Sequence, residues 1–265
     1  MAISNEASEA SSWIRRFTPL PDSDARVVCF PHAGGAASSF VPLSRALAPG
    51  AEVLAVQYPG RQDRRQEPFA ESLTELADAV FDVLRAELSG SYAFFGHSLG
   101  AVLAFEVARR FEEAAPGDGP VALFLSARRA PSVPHHDRIH LRDDATVIAE
   151  MRRLSGTDQS ILGDEELMAL LLPVIRADYK AIETHVTPPD VQVACPITVL
   201  VGDADPVTTI EDASAWRAHS TGGTEVRVFP GGHFYLDAHT DEVAAEIRRA
   251  FTGRTHDTAL AESPR

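Results

Sequence analysis

Cysteine is scarce in this sequence, basic residues are outnumbered, and no apolar stretch is long. The two cysteines, Cys29 and Cys195, lie in or beside apolar runs without the spacing of a disulfide framework or a zinc site, so buried free thiols and a reducing, cytoplasmic setting are expected. Lysine and arginine number 24 against 38 aspartates and glutamates, a formal charge of -14. With no long basic run to offset that balance, nonspecific nucleic-acid binding is excluded, because phosphate neutralisation needs clustered cations. The first residues, MAISNEASEASSWIRRF, lack the apolar core of a signal peptide, and no run approaches the roughly 18 apolar residues of a membrane span.

What is present is a rhythm. Runs rich in valine, leucine and phenylalanine recur at RVVCF (26–30), EVLAVQY (52–58), SYAFF (91–95), VALFLSA (121–127), ITVLVG (197–202) and EVRVFP (225–230), each bounded by turn formers, and read as strands. Segments of helical spacing lie between them at 72–88 and 101–111, with another at 241–251. The alternation predicts an α/β fold with a mostly parallel sheet covered on both faces. The expected organisation is a flexible segment 1–16, one domain over 17–252 and a polar tail 253–265. About 70 residues separate the fourth strand from the fifth, far more than one crossover helix needs, so an insert is expected at about 135–187. It holds helical patterns at 143–154 and 164–185, the second interrupted by Pro173, which should kink it or begin a new helix. A helical lid whose apolar face carries Leu167, Leu170, Leu171, Val174 and Ile175 is the functional reading. A helical pair packed on the sheet edge is the bland one.

The stretch FFGHSLG (94–100) places Ser98 between two glycines, after a strand and before a helix. That context turns a weak pattern into a nucleophile elbow: a sharp strand-to-helix turn leaves no room for side chains two residues either side of the serine. Such a serine needs a base and an orienting acid. His233 follows two glycines after the last strand, and Asp203 and Asp205 follow ITVLVG, in the chain order serine, acid, histidine; either aspartate could serve, since aspartate is also a common turn former. Leu99 supplies one backbone N–H for an oxyanion, and Ala33, in the turn PHAGG after RVVCF, is the candidate for the other. His135, His136, Asp137 and His140 sit in a proline-flanked segment and read as a solvated loop rather than as metal ligands.

With FPHAGG, QYPGRQDR, GHSLG, GDADP and GGHF in this order, roughly from Phe17 to Phe251, the chain resembles the type II thioesterases that accompany modular polyketide and nonribosomal peptide synthases. The resemblance implies an α/β-hydrolase fold with a helical lid. It also implies hydrolysis of stalled or incorrect acyl groups from the phosphopantetheine arm of acyl or peptidyl carrier proteins, with no metal or redox cofactor, because phosphopantetheine belongs to the substrate. By motif, Ser98 is the nucleophile, Asp205 the acid, His233 the base, and Ala33 and Leu99 the oxyanion donors. An acidic chain that meets acidic carrier proteins needs a local basic surface, for which Arg61, Arg64, Arg65, Arg128 and Arg129 are the candidates; solvated charge or pairing with Asp63 and Glu67 is their ordinary role. A small-molecule esterase and a non-catalytic binding protein of the same fold remain the alternatives.

Overall fold

Each apolar run is too short to span more than one layer, and pairing side by side satisfies its backbone while exposing both faces to helices. The computed structural model describes residues 12–133, 137–154 and 162–252. In chain order its elements are β1 (Ile14–Arg15), β2 (Ala25–Phe30), α1 (Val41–Leu47), β3 (Glu52–Val56), α2 (Leu73–Glu87), β4 (Ser91–His97) and α3 (Leu99–Ala114). There follow β5 (Leu123–Ser126), α4 (Asp144–Leu154), α5 (Glu165–Thr184), β6 (Ile197–Gly202), α6 (Ile210–Ser214), β7 (Thr224–Phe229) and α7 (Thr240–Thr252). The strands form one sheet in the order β1-β3-β2-β4-β5-β6-β7. Among the described residues only the β1–β3 pair is antiparallel.

Alternate strand residues feed two cores. Val28, Phe30 and Phe94 point toward α2 and α3, whereas Val27, Cys29 and Phe95 point toward α1 and α7. A side chain the size of Phe94, wholly buried, contributes about 2–3 kcal/mol by leaving water. Both cysteines are buried.

The order reverses between β2 and β4: the chain leaves β2 for β3 on one side, then crosses back to place β4 on the other. At such a switch point the loops leaving the carboxyl ends of neighbouring strands diverge and open a crevice. The loops that leave β2 and β4 there are Pro31–Gly35 and Ser98.

Three features depart from expectation. The two-residue β1 joins the sheet ahead of the expected boundary at 17, too short to show a period of its own. The expected flexible ends otherwise fall at 1–11 and 253–265, outside the described residues. Of the two outcomes expected at Pro173, no new helix begins there: α5 continues through it, and the proline removes one donor without ending the helix, because packing on both sides holds it. The insert is divided energetically. Helix α4 and the first half of α5 share a small core of Val147, Met151, Met168, Leu172 and Ile175, while Ala181 and Ile182 of the second half belong to the main core.

Candidate active site

Strand β4 turns into α3 at Ser98, whose backbone lies at φ 55, ψ -115. A non-glycine residue held there stores on the order of 1–3 kcal/mol of strain, which surrounding structure must impose. It is imposed by contact. A Cβ on Gly96 would overlap the carbonyl of Gly100, and one on Gly100 would overlap the carbonyl of Phe30; the Ser98 N–H also donates to Ser126 O at 2.8 Å. The same closeness brings Leu99, first residue of α3, beside the loop after β2, and its N–H has no partner within the helix.

Two loops meet Ser98 from across the sheet. Asp203 Oδ1 accepts the Gly231 N–H at 2.9 Å, and a side chain on Gly202 would collide with the carbonyls of Gly231 and Gly232, so the β6 and β7 loops are stitched together. Asp205 Oδ2 then accepts from His233 Nδ1 at 2.9 Å, with side-chain exposures of 0% and 2%. Its other oxygen accepts the Val207 and Thr208 amides at 2.9 and 3.3 Å. A proton on Nδ1 leaves Nε2 as an acceptor. Ser98, Leu99, Ala33, His32 and His233 line one cavity; the Ser98 hydroxyl makes no hydrogen bond among the described residues.

Two more histidines, His97 and His32, surround His233, and nothing in the sequence by itself assigns either a role. The His97 ring lies 5.3 Å from that of His233 and 5.8 Å from that of His32. Burial first, then the charges of His233 and Arg61, lower His32 to about 4, and burial holds His97 well below the ordinary histidine range. Both therefore remain neutral when His233 takes a proton. His97 Nδ1 pairs with Ser126 Oγ at 2.9 Å, which meets Tyr235 OH at 2.6 Å.

The arginines separate. Arg61 and Arg64 are 7% and 5% exposed and cannot form a docking surface. The loop after β3 curls into a short turn at Gln62–Arg64 that folds both side chains inward. Arg61 donates to Gly35 O at 2.9 Å and Pro59 O at 2.8 Å and pairs with Asp178. Arg64 donates to Gln57 O at 2.8 Å and Glu67 at 2.9 Å and stacks on Trp13. Arg65 is exposed. Arg128 and Arg129 are half-buried at the rim of the Ser98 cavity; burial, then Arg129, lowers Arg128 to about 10, and Arg129 donates to Val207 O at 2.7 Å.

A second cavity of about 270 Å³ continues from the first, walled by the loop after β2 and by Met151, Leu154, Leu171, Ile175 and Tyr179. The face of α5 turned to it is thus Leu171, Ile175 and Tyr179, at helical spacing. Leu167 and Leu170, expected on that face, are 43% and 72% exposed, because they project from the helix away from both α4 and the body. His140 pairs with Glu183, while His135 and His136 lie outside the described residues. A larger cavity, about 780 Å³, opens at the other end of the sheet beside Ala25, Ser91 and Val121 and touches none of these groups.

A mostly parallel sheet with a strained serine at a strand-to-helix turn, and a histidine–aspartate pair on the following strand ends, defines an α/β hydrolase. The model of the family described as "Thioesterase domain" matches residues 25–251. The chain is 51% identical over 241 residues to a probable cadicidin biosynthesis thioesterase of Streptomyces griseus, an alignment covering 91% of this chain and 66% of that protein, slightly under two thirds. It is 48% identical to thioesterase PikA5 of Streptomyces venezuelae, covering 90% of this chain and 85% of that one. Among solved structures, the type II thioesterase BorB from the borrelidin biosynthetic cluster superimposes with a TM-score of 0.83 at 47% identity, over 90% of this chain and 97% of that chain. The chain belongs to the thioesterase family.

Proposed function

We propose that Ser98, His233 and Asp205 form a catalytic triad that hydrolyses acyl thioesters borne on the phosphopantetheine arm of acyl or peptidyl carrier proteins, clearing stalled or incorrect acyl groups from polyketide or nonribosomal peptide synthases. The observation that carries this reading is the buried 2.9 Å pair between His233 Nδ1 and Asp205 Oδ2 in a cavity shared with Ser98. The similarity to BorB and PikA5 supports the substrate class.

Ser98 Oγ attacks the thioester carbon while His233 Nε2 takes its proton; Asp205 stabilises the imidazolium. The N–H groups of Ala33 and Leu99 hold the oxyanion. Collapse expels the pantetheine thiolate, which leaves readily because its pKa is near ~8.5 and which receives the proton from His233. Water, deprotonated by His233, then cleaves the acyl-serine. Catalytic hydrogen bonds commonly tighten only in the Michaelis complex, which accommodates the unpartnered Ser98 hydroxyl. The acyl chain is assigned to the cavity under α5, and Arg128 and Arg129 at the rim of the Ser98 cavity, with the exposed Arg65, to carrier-protein contact. Among the described residues no helix is long and apolar enough to cross a membrane; with only two cysteines, both buried, the proposed setting is the cytoplasm.

The test is a panel of acyl-carrier proteins beside acyl-pantetheine and p-nitrophenyl esters, with Ser98→Ala as control. Preferential turnover of carrier-bound thioesters, lost in Ser98→Ala, supports the proposal. Faster turnover of oxygen esters would make the protein an esterase, and activity surviving in Ser98→Ala would remove the triad.

A further inference from the structure

The loop that presents Ala33 is a Gly-Gly turn, and its own sequence supplies little to hold it in one conformation. Gly34 lies at φ 74, a conformation glycine enters without strain, and glycine loses more freedom on ordering than any other residue. Yet the position of an oxyanion donor must be held within a few tenths of an ångström to act on a developing charge. The rigidity has to come from outside the loop.

It comes from three side chains. Tyr58 OH donates to Pro31 O at 3.1 Å, and Arg61 Nε donates to Gly35 O at 2.9 Å. The third is Asp178 on α5, whose Oδ2 accepts the Gly34 N–H at 2.7 Å and also receives the Arg61 guanidinium. One turn before Asp178, Ile175 packs so closely on the loop that a Cβ on Gly34 would lie 2.8 Å from its Cγ1. Asp178 is 7% exposed, so an unpaired carboxylate there would carry a heavy desolvation penalty; the Arg61 guanidinium offsets it at the same oxygen that accepts the Gly34 N–H.

We propose that Arg61 and Asp178 are positioning residues for the oxyanion hole: the carboxylate from the inserted helix fixes the peptide next to Ala33, so the donor is aimed only while α5 is seated on the loop. The inference rests on the proposed role of Ala33. It makes the insert a part of the catalytic apparatus as well as a cover for the acyl cavity. The competing account is that the pair merely anchors α5 to the body.

Purified full-length D178A, D178N and R61K are compared with the parent for kcat and KM on an acyl-pantetheine thioester. Two ligands are titrated as well: an acyl trifluoromethyl ketone, whose adduct with Ser98 places an oxyanion in the hole, and the matching thioether, which mimics only the ground state. In D178A, kcat is expected to fall on the order of tenfold to a hundredfold, short of the ~10²–10³ lost when a donor is deleted, with KM and thioether affinity within about threefold. Ketone affinity should fall in parallel with kcat/KM. D178N keeps the shape of the side chain but sets a neutral amide against Arg61, and R61K retains the positive charge without reaching Asp178 and Gly35 O at the same time. Each should show the same pattern with a loss of about fivefold to tenfold. Parent-like kcat in folded D178N and R61K overturns the proposal even if D178A fails to fold. So does a loss shared equally by kcat, thioether affinity and thermal stability. S98A separates the two levels: if it is active, the triad reading fails; if it is inactive while the Asp178 and Arg61 variants match the parent, only the positioning role fails.

Discussion

Asp205 Oδ2 meets His233 Nδ1 at 2.9 Å, whereas the carboxylate two residues earlier, Asp203, is occupied by the Gly231 amide. One aspartate therefore faces His233, the proposed base, and the other braces the loop that carries it. Asp205→Asn should lower kcat by about 10³–10⁴, because the amide favours the wrong imidazole tautomer. Asp203→Asn, which can still accept from Gly231, should cost less than about tenfold. Steady-state kinetics on both folded variants decides the assignment; the reverse order would move the acid to Asp203.

The elbow tolerates no added methyl group at Gly100, where a Cβ meets the Phe30 carbonyl. Gly100→Ala should destabilise by about 3 kcal/mol or more, since backbone on both sides must move. At Gly50 the nearest atom to a new Cβ is 3.5 Å away, and Gly50→Ala should change stability by less than about 0.5 kcal/mol. Urea denaturation of the pair measures the difference.

Acyl-chain selection should follow the inward face of α5. Leu171→Phe fills the cavity of about 270 Å³ and is expected to lower kcat/KM for long acyl chains several-fold relative to short ones, about 1 kcal/mol per excluded methylene. Leu170, 72% exposed, should leave the profile unchanged when it is replaced by phenylalanine. Competition among acyl-pantetheines of graded length reads the ratio directly. A uniform loss across lengths would indicate a packing defect.

Glu106 joins α3 to the chain just past α5. Its carboxylate, 3% exposed, accepts from Arg109 at 3.0 Å, Arg110 at 3.1 Å and Thr187 at 2.9 Å, and pairs with His185 at 3.2 Å. Burial raises its pKa, but His185 and Arg109 outweigh that and bring it to about 2. The folded state thus gives up this proton more readily than the unfolded chain. The stabilisation, on the order of 3 kcal/mol, is full above the ordinary value near ~4.5 and is lost as the pH falls toward ~2. Glu106→Gln should be less stable than the parent at pH 7, and the gap should close across that interval in denaturant titrations. A gap independent of pH would show that shape, and not charge, sets the contribution.

The strands at the sheet's centre were legible because local composition suffices for them: a parallel strand buried on both faces needs a short apolar run with turn formers at its ends, and RVVCF, SYAFF and ITVLVG have that form. Ser98 and His233 were legible for a related reason, since each stands on a glycine-marked turn at a strand end, where chain order alone assigns it to the active edge. Nothing local marks β1, two residues long, or chooses between Asp203 and Asp205; the choice depends on which carboxylate the Gly231 amide occupies, a contact between separate loops. The arginines show the same limit. Arg61 and Arg65 lie in one charged stretch, yet one is buried against Asp178, 117 residues away in the chain, and the other is in solvent. The apolar face of α5 likewise could be counted from helical spacing, but its rotation was set by packing against α4 and the loop after β2. Periodicity and turn chemistry act over a few residues, so the sequence by itself determined the elements and their order. Which side chain meets which across the fold was decided by packing and by the pairing of buried charge, and these exist only once the layers have closed.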